Sequence, residues 1–231
     1  IISYTLAGLS FREFVAMTKG IELPPLTFEE ILRHKVTFPA GERPLALFDN
    51  YLKTGYYPFW TETDYATRLN NVINQTIEND IPTYAKMNIA TSRKLKQLLF
   101  IISQSVPFKP NYTEIGAAME CDRGTVADLA FYLEKARLLM SLRHQDDGMK
   151  NFGKLEKLYL GNTNLIYALS EGKPDVGNLR ETFFLSQIQV NQEVFASKAA
   201  DFIIDGHTFE VGGKNKGKKQ IAQVKDAFIV K

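Results

Sequence analysis

Apolar residues recur at three- and four-residue spacing through most of the first 142 residues, then give way to short runs in which every second residue is apolar. A chain with that change of period builds helices first and short strands afterwards, so an α+β fold is expected with its strands in the second half. At 231 residues, 45% of them apolar, the chain can bury a sizeable core, and that length more often divides into two compact units than one.

Lys and Arg number 28 against 26 Asp and Glu, a formal net charge of +2, so a nucleic-acid or acidic partner must be met by a local patch. Cys121 is the lone cysteine, which excludes an internal disulfide and a cysteine-rich zinc site and fits a reducing cytoplasm. Cys121 itself is expected as a small buried apolar residue. His34, His144 and His207 are scattered, giving neither a metal site nor a Ser/His/Asp triad. No run of about 18 apolar residues occurs, and Ile1-Ile2-Ser3-Tyr4 lacks the basic and apolar segments of an export signal. A soluble cytoplasmic protein with no membrane partner is expected, and the start without Met, in what reads as the middle of a fold, marks a fragment.

Ser10 and Glu13 have the spacing of a capping box and predict a short helix over residues 10–17. A loop at Pro24-Pro25 leads to a second helix capped by Thr27, and a turn between Pro39 and Pro44 to a third over residues 45–52. The aromatics Tyr56, Tyr57, Phe59 and Trp60 are read as packing core rather than a stacking surface for bases. Leu69, Val72, Ile73 and Ile77 place a long helix over residues 64–81, stopped or bent by Pro82. Thr91 or Ser92 opens the next helix, lined by Leu95, Leu98, Leu99 and Ile102.

Residues 111–142 are the most informative stretch of the first half. Asn111 caps a short helix, Cys121 marks a tight break, and Asp122 caps a second helix with Val126, Leu129 and Leu133 on one face. This is the pattern of a helix-turn-helix. Residues 138–142, the turn Asp146-Asp147-Gly148 and the alternating Lys157-Leu158-Tyr159-Leu160 would then be the strands and tip of a wing. Further on come a helix over residues 178–190, strands over 200–204 and 207–211 joined by Asp205-Gly206, a lysine-rich segment over 212–219 and a last strand, Phe228-Ile229-Val230.

The order of several motifs resembles the C-terminal region of a prokaryotic AAA-superfamily ATPase, a core followed by a conserved tail of unassigned function. They are Leu9-Ser10-Phe11-Arg12-Glu13-Phe14, Tyr51-Leu52 with Gly55 and Pro58, residues 125–139, Lys157-Leu158-Tyr159-Leu160, and Ala200-Asp201-Phe202-Ile203-Ile204 with Phe209-Glu210-Val211. The resemblance implies three parts: a helical linker after the missing ATPase core (1–90), a winged-helix-like domain (91–160) and a truncated α/β domain similar to the PD-(D/E)xK nuclease fold (161–231). No GxxxxGK[ST] phosphate loop is present, so ATP and its Mg²⁺ would belong to the parent protein and no cofactor to this stretch. By the same resemblance Glu181, Asp201 and Glu210 match the acids of a nuclease site, with Asp201 and Glu210 as the ligands of any Mg²⁺. The position of the site's lysine holds Gly212, and Lys214 is the next lysine along. Without that lysine, a vestigial site that does not hydrolyse DNA is expected.

A winged helix would bring Arg123 and Thr125 to DNA, with Arg143 and Lys150 on phosphate. Asp128, Glu134 and Asp146-Asp147 oppose that placement, and packing on the neighbouring ATPase domain is an equal reading. Lys214, Lys216, Lys218 and Lys219 form the dense basic patch. Four phosphates neutralised there would give a salt slope of roughly −3.5; the other reading is a solvated loop. The expected function is that of an accessory, DNA-associated or regulatory region of an AAA-type ATPase, partnered by its ATPase domain. The alternatives are a Mg²⁺-dependent nuclease and a protein-interaction module that recruits the ATPase.

Overall fold

The computed structural model describes residues 6–35, 37–105, 107–145, 155–170 and 174–231, with the backbone alone for Ile89 and Lys218. The chain divides into two compact units, Ile1–Tyr65 and Ala66–Lys231, so the helical residues 66–90 belong with the second.

In the first unit, α1 (Phe11–Lys19) starts at a complete capping box: Glu13 N–H donates to the Ser10 side chain, and the Glu13 carboxylate accepts from Ser10 N–H. That pair satisfies two backbone donors that the helix itself leaves unpaired. Thr27 and Glu30 repeat the device at α2 (Phe28–Leu32). α3 (Pro44–Asn50) has Pro44 in its first turn, where a missing N–H costs nothing, and continues into a π turn, Tyr51–Gly55. The buried side chains of Phe14, Val15 and Tyr51 form the core, with Trp60 5.5 Å from Phe14 ring to ring and the Tyr51 hydroxyl donating to Leu9 O at 2.6 Å. The aromatic cluster packs on itself.

The second unit opens with α4 (Tyr65–Gln75), a π turn (Thr76–Asp80) and α5 (Ile81–Ala85). Helical backbone thus passes Pro82 instead of stopping there. The wide turn before it relieves the clash between a proline ring and the carbonyl four residues back. α6 (Ile89–Ser103) is capped by Asn88, whose Oδ1 accepts from Thr91 N–H at 3.0 Å, so Thr91 lies inside the first turn rather than at its cap. α7 (Tyr112–Ala118) and α8 (Arg123–Lys135) are capped by Asn111 and Asp122. Their turn is tight enough that a Cβ on Gly116 would stand 2.6 Å from Cys121 O, and Cys121 is half-buried there rather than enclosed. Leu98, Ile102, Val126, Leu129 and Leu133 make the shared core of these helices.

β1 (Leu139–Arg143) and β2 (Leu155–Leu160) pair antiparallel, and Phe108 adds a single bridge to Leu158. The expected turn between these strands, Asp146-Asp147-Gly148 with Lys150, lies outside the described residues. α9 (Thr163–Leu169) and β3 (Val194–Ala196) are among the elements not expected from the sequence; β3, at three residues, is too short to show an alternation. α10 (Val176–Ile188) faces a four-stranded sheet, ordered β3-β4-β5-β6, with β4 (Phe202–Ile204), β5 (His207–Val211) and β6 (Ala227–Val230). β3, β4 and β5 are antiparallel, while β6 joins β5 in parallel. Asp205 and Gly206 both take positive φ, 47° and 76°, which closes the hairpin in the twist that adjacent strands require. The fold is α+β.

Candidate functional site

The hairpin register pairs Phe202 with Phe209. One step outward, Asp201 stands across from Glu210, with Asp201 N–H donating to Phe209 O. The Asp201 carboxylate accepts Val211 N–H through Oδ2 at 2.9 Å, which fixes its direction at the strand end. Its Oδ1 accepts from Lys157 Nζ at 3.2 Å, and the same ammonium donates to Glu181 Oε2, also at 3.2 Å. Tyr159 completes the arrangement by donating its hydroxyl to Glu181 Oε2 at 2.9 Å. Thus α10 supplies one acid, the start of β4 another, and β2 the cation and hydroxyl that hold them.

Glu181 is the electrostatic centre of this group. Burial, and then the charge of Asp201, raise its pKa above the ordinary glutamate range despite the opposing pull of Lys157 and Tyr159. Burial disfavours the charge of Lys157, but Glu181 and Asp201 outweigh it and hold the ammonium above the usual lysine value. Burial also raises the Tyr159 hydroxyl, so it acts as a donor.

Glu210, only 2% exposed, is paired through Oε1 with Lys216 Nζ. Its Oε2 is buried without a hydrogen-bond partner. Lys216 reaches it from beyond β5 by passing over Gly212, where a Cβ would stand 2.5 Å from Lys216 Cγ. The hydrogen bond to Glu210 raises the Lys216 pKa, and the charges of Glu210, Asp201 and Glu181 add to it against a desolvation cost. The lysine at the acids is therefore Lys216, while Lys214 is exposed and its backbone oxygen accepts from Lys231 Nζ at 3.2 Å. The structure corrects the sequence reading on this point: Gly212 clears the path for a lysine four residues later.

The three acids gather in the tail, yet among the described residues no three His, Cys, Asp or Glu side chains are placed to share one metal ion. The arrangement does not fit a three-carboxylate Mg²⁺ site, because Lys157 stands between Glu181 and Asp201 and Lys216 against Glu210. Lys157 and Tyr159 escaped the sequence reading as site residues. Their alternation with Leu158 and Leu160 put them on one strand face, but nothing local indicated what that face would meet.

The residues expected at DNA fare differently. Thr125 is held by the α8 cap, its hydroxyl donating to Asp122 Oδ2 at 2.6 Å. Arg143 is bound to Ser141 and to Glu134 at 3.5 Å, because the bend of β1 lays its side chain along the end of α8. Arg123 is exposed and Lys219 is exposed. The Lys218 backbone lies in a 3-10 turn (Lys218–Ile221), and Lys150 falls outside the described residues. Among the described residues no helix is long and apolar enough to cross a membrane.

The fold and site define an α+β protein whose tail carries three acids paired with its own lysines. The chain belongs to the family described as a domain of unknown function, DUF8612, which matches residues 45–176. That match takes in β2 with Lys157 and Tyr159 but ends before Glu181, Asp201 and Glu210. The chain is also similar to Uncharacterized protein MJ1637 of Methanocaldococcus jannaschii, at 24% identity over 160 residues, covering 65% of this chain and 34% of the relative. The chain thus spans about a third of the length of that relative. No solved structure matches it.

Proposed function

We propose that this chain is a non-catalytic accessory region of an AAA-type ATPase, associated with DNA through surface cations and using ATP only through another domain of the parent protein. In this reading α6, α7, α8, β1 and β2 form a winged helix, and the tail is a nuclease-like fold kept as a scaffold. The observation that carries it is the Lys157 ammonium, 3.2 Å from both Glu181 and Asp201. A single positive charge stands between the two acids, as a divalent cation would, but it cannot polarise a water for attack as a metal does. The length of the curated relative, well beyond the matched segment, leaves room for an ATPase core and is consistent with an accessory role.

A second reading, a Mg²⁺-dependent nuclease, is favoured by one observation: the buried, unpartnered Oε2 of Glu210, an acceptor that a cation would satisfy. Incubation with plasmid and linear DNA in Mg²⁺ and in Mn²⁺, beside an Asp201→Ala control, separates the two. No cleavage is expected. Cleavage that disappears in the control would establish the nuclease and overturn the non-catalytic reading.

A further inference from the structure

We propose that the outer edge of β6 is a docking site for an extended, acidic segment of a partner protein, which adds to the tail sheet as a further strand. The sheet ends at β6, and the register shows which of its backbone groups the sheet uses. Asp226 O accepts from Thr208 N–H and Val230 O from Gly212 N–H, with β6 parallel to β5. In such a ladder every second residue bonds to a given neighbour, so Ala227 and Ile229 turn their N–H and C=O groups away from β5. No strand takes them up among the described residues, and all four residues of β6 are half-exposed. The opposite edge differs, because a His144 ring nitrogen lies 3.1 Å from Ala196 O at the end of β3.

Charge selects the occupant. From Val211 onwards the sequence sets Asp226 as its one acid against Lys214, Lys216, Lys218, Lys219, Lys225 and Lys231. Lys225 and Lys231 stand at the two ends of β6, both exposed and neither in an ion pair among the described residues. Lys231 Nζ donates to Lys214 O at 3.2 Å, which holds that charge at the end of the strand. Between them β6 has no charge, proline or bulge, the devices that keep an edge from pairing. The terminal lysines do oppose a second copy, since antiparallel pairing of β6 with itself brings Lys225 of one copy towards Lys231 of the other. The same charges attract a strand with acids at its ends, and Ile229 gives its middle an apolar neighbour. Main-chain bonds would supply the affinity and the end charges the selectivity. Duplex DNA would meet the lysines, but it brings no row of amide donors and acceptors at strand spacing and leaves Ala227 and Ile229 unpaired.

The test uses the full chain and a fluorescein-labelled peptide of alternating Glu and Val, with affinity read by anisotropy. The peptide is expected to bind. The same peptide N-methylated at alternate residues keeps its charge but loses its donors, and it should bind about tenfold more weakly. Ile229→Pro deletes an N–H that β5 does not use, so the melting temperature should stay near that of the wild type while peptide affinity falls by a similar factor. Lys225→Glu combined with Lys231→Glu should also weaken binding about tenfold and favour a peptide of alternating Lys and Val instead. Amide hydrogen exchange at Ala227 and Ile229 should be fast in the free chain and slowed by the Glu-Val peptide. If Ile229→Pro does not fold, the N-methylated peptide and the exchange measurement still decide. Equal affinity for the N-methylated peptide, or no binding by the wild type, would overturn the proposal. Slow exchange at both amides in the free chain would do so too, by showing the edge already covered. A DNA duplex that displaces the peptide and slows the same two amides would reassign the surface to nucleic acid.

Discussion

Lys157 shows how one side chain can decide what a cluster of acids does. Its ammonium is shared between Glu181 and Asp201, so removing it leaves two close carboxylates facing each other in a partly buried place. Lys157→Met is expected to lower stability by about 2 kcal/mol, less than a fully buried pair would lose because the site is partly exposed. Urea denaturation would check this, and a change within about 0.5 kcal/mol would contradict the bridging role. Glu181 makes a separate, pH-dependent contribution. Its pKa is raised in the folded chain, so the folded state binds the proton more tightly than the unfolded one. The stabilisation is complete below the ordinary glutamate value of about 4.3 and is lost as pH rises through the raised folded value. Thermal melts of the wild type and Glu181→Gln over that range should therefore differ in slope, the variant lacking the component that falls with pH, while the lowered pKa values of Glu13 and Glu156 act in the opposite direction in both. An identical profile in the variant would count against the raised Glu181.

At the scale of elements, α8 is the helix on which the second unit's helical core closes, with Val126, Leu129 and Leu133 buried. Leu129→Ala is expected to cost about 2 to 5 kcal/mol, since neighbours on α6 and α7 cannot fully collapse into the gap. Denaturant titration checks it. Four helix starts were legible because their signals are local: Ser10 with Glu13, Thr27 with Glu30, Asn111 and Asp122 each cap within three residues, whereas α6 begins at Asn88 rather than at Thr91 or Ser92. Whether Pro82 stops or bends the helix was left open by the sequence, because the π turn that carries the backbone past it depends on how the widened backbone packs. The acids of the tail were legible for a similar reason. Asp205-Gly206 is a hairpin signal, and counting outward from it sets Asp201 opposite Glu210. Their cations were not legible, as Lys157 lies 44 residues before Asp201 and Lys216 arrives by folding back over Gly212. Only tertiary structure reports such approaches.

Across the whole molecule, the proposed role is one of contacts, with ATP chemistry left to another domain of the parent protein. Calorimetry with ATP and Mg²⁺ should show no micromolar binding, because no phosphate loop exists to cradle the nucleotide. Heat of binding in that range would require a nucleotide site of another design. The internal pairing of Lys157 and Lys216 with the acids leaves the DNA contacts of the proposed role to exposed cations such as Arg123 and Lys219, so the affinity should be modest and strongly salt-dependent. The salt dependence of duplex binding to the wild-type chain decides whether it associates with DNA through its cations. A linear fall of log affinity with log salt is expected, with a slope between roughly −1.8 and −3.5 for two to four neutralised phosphates. No measurable binding at low salt, or an affinity indifferent to salt, would contradict it.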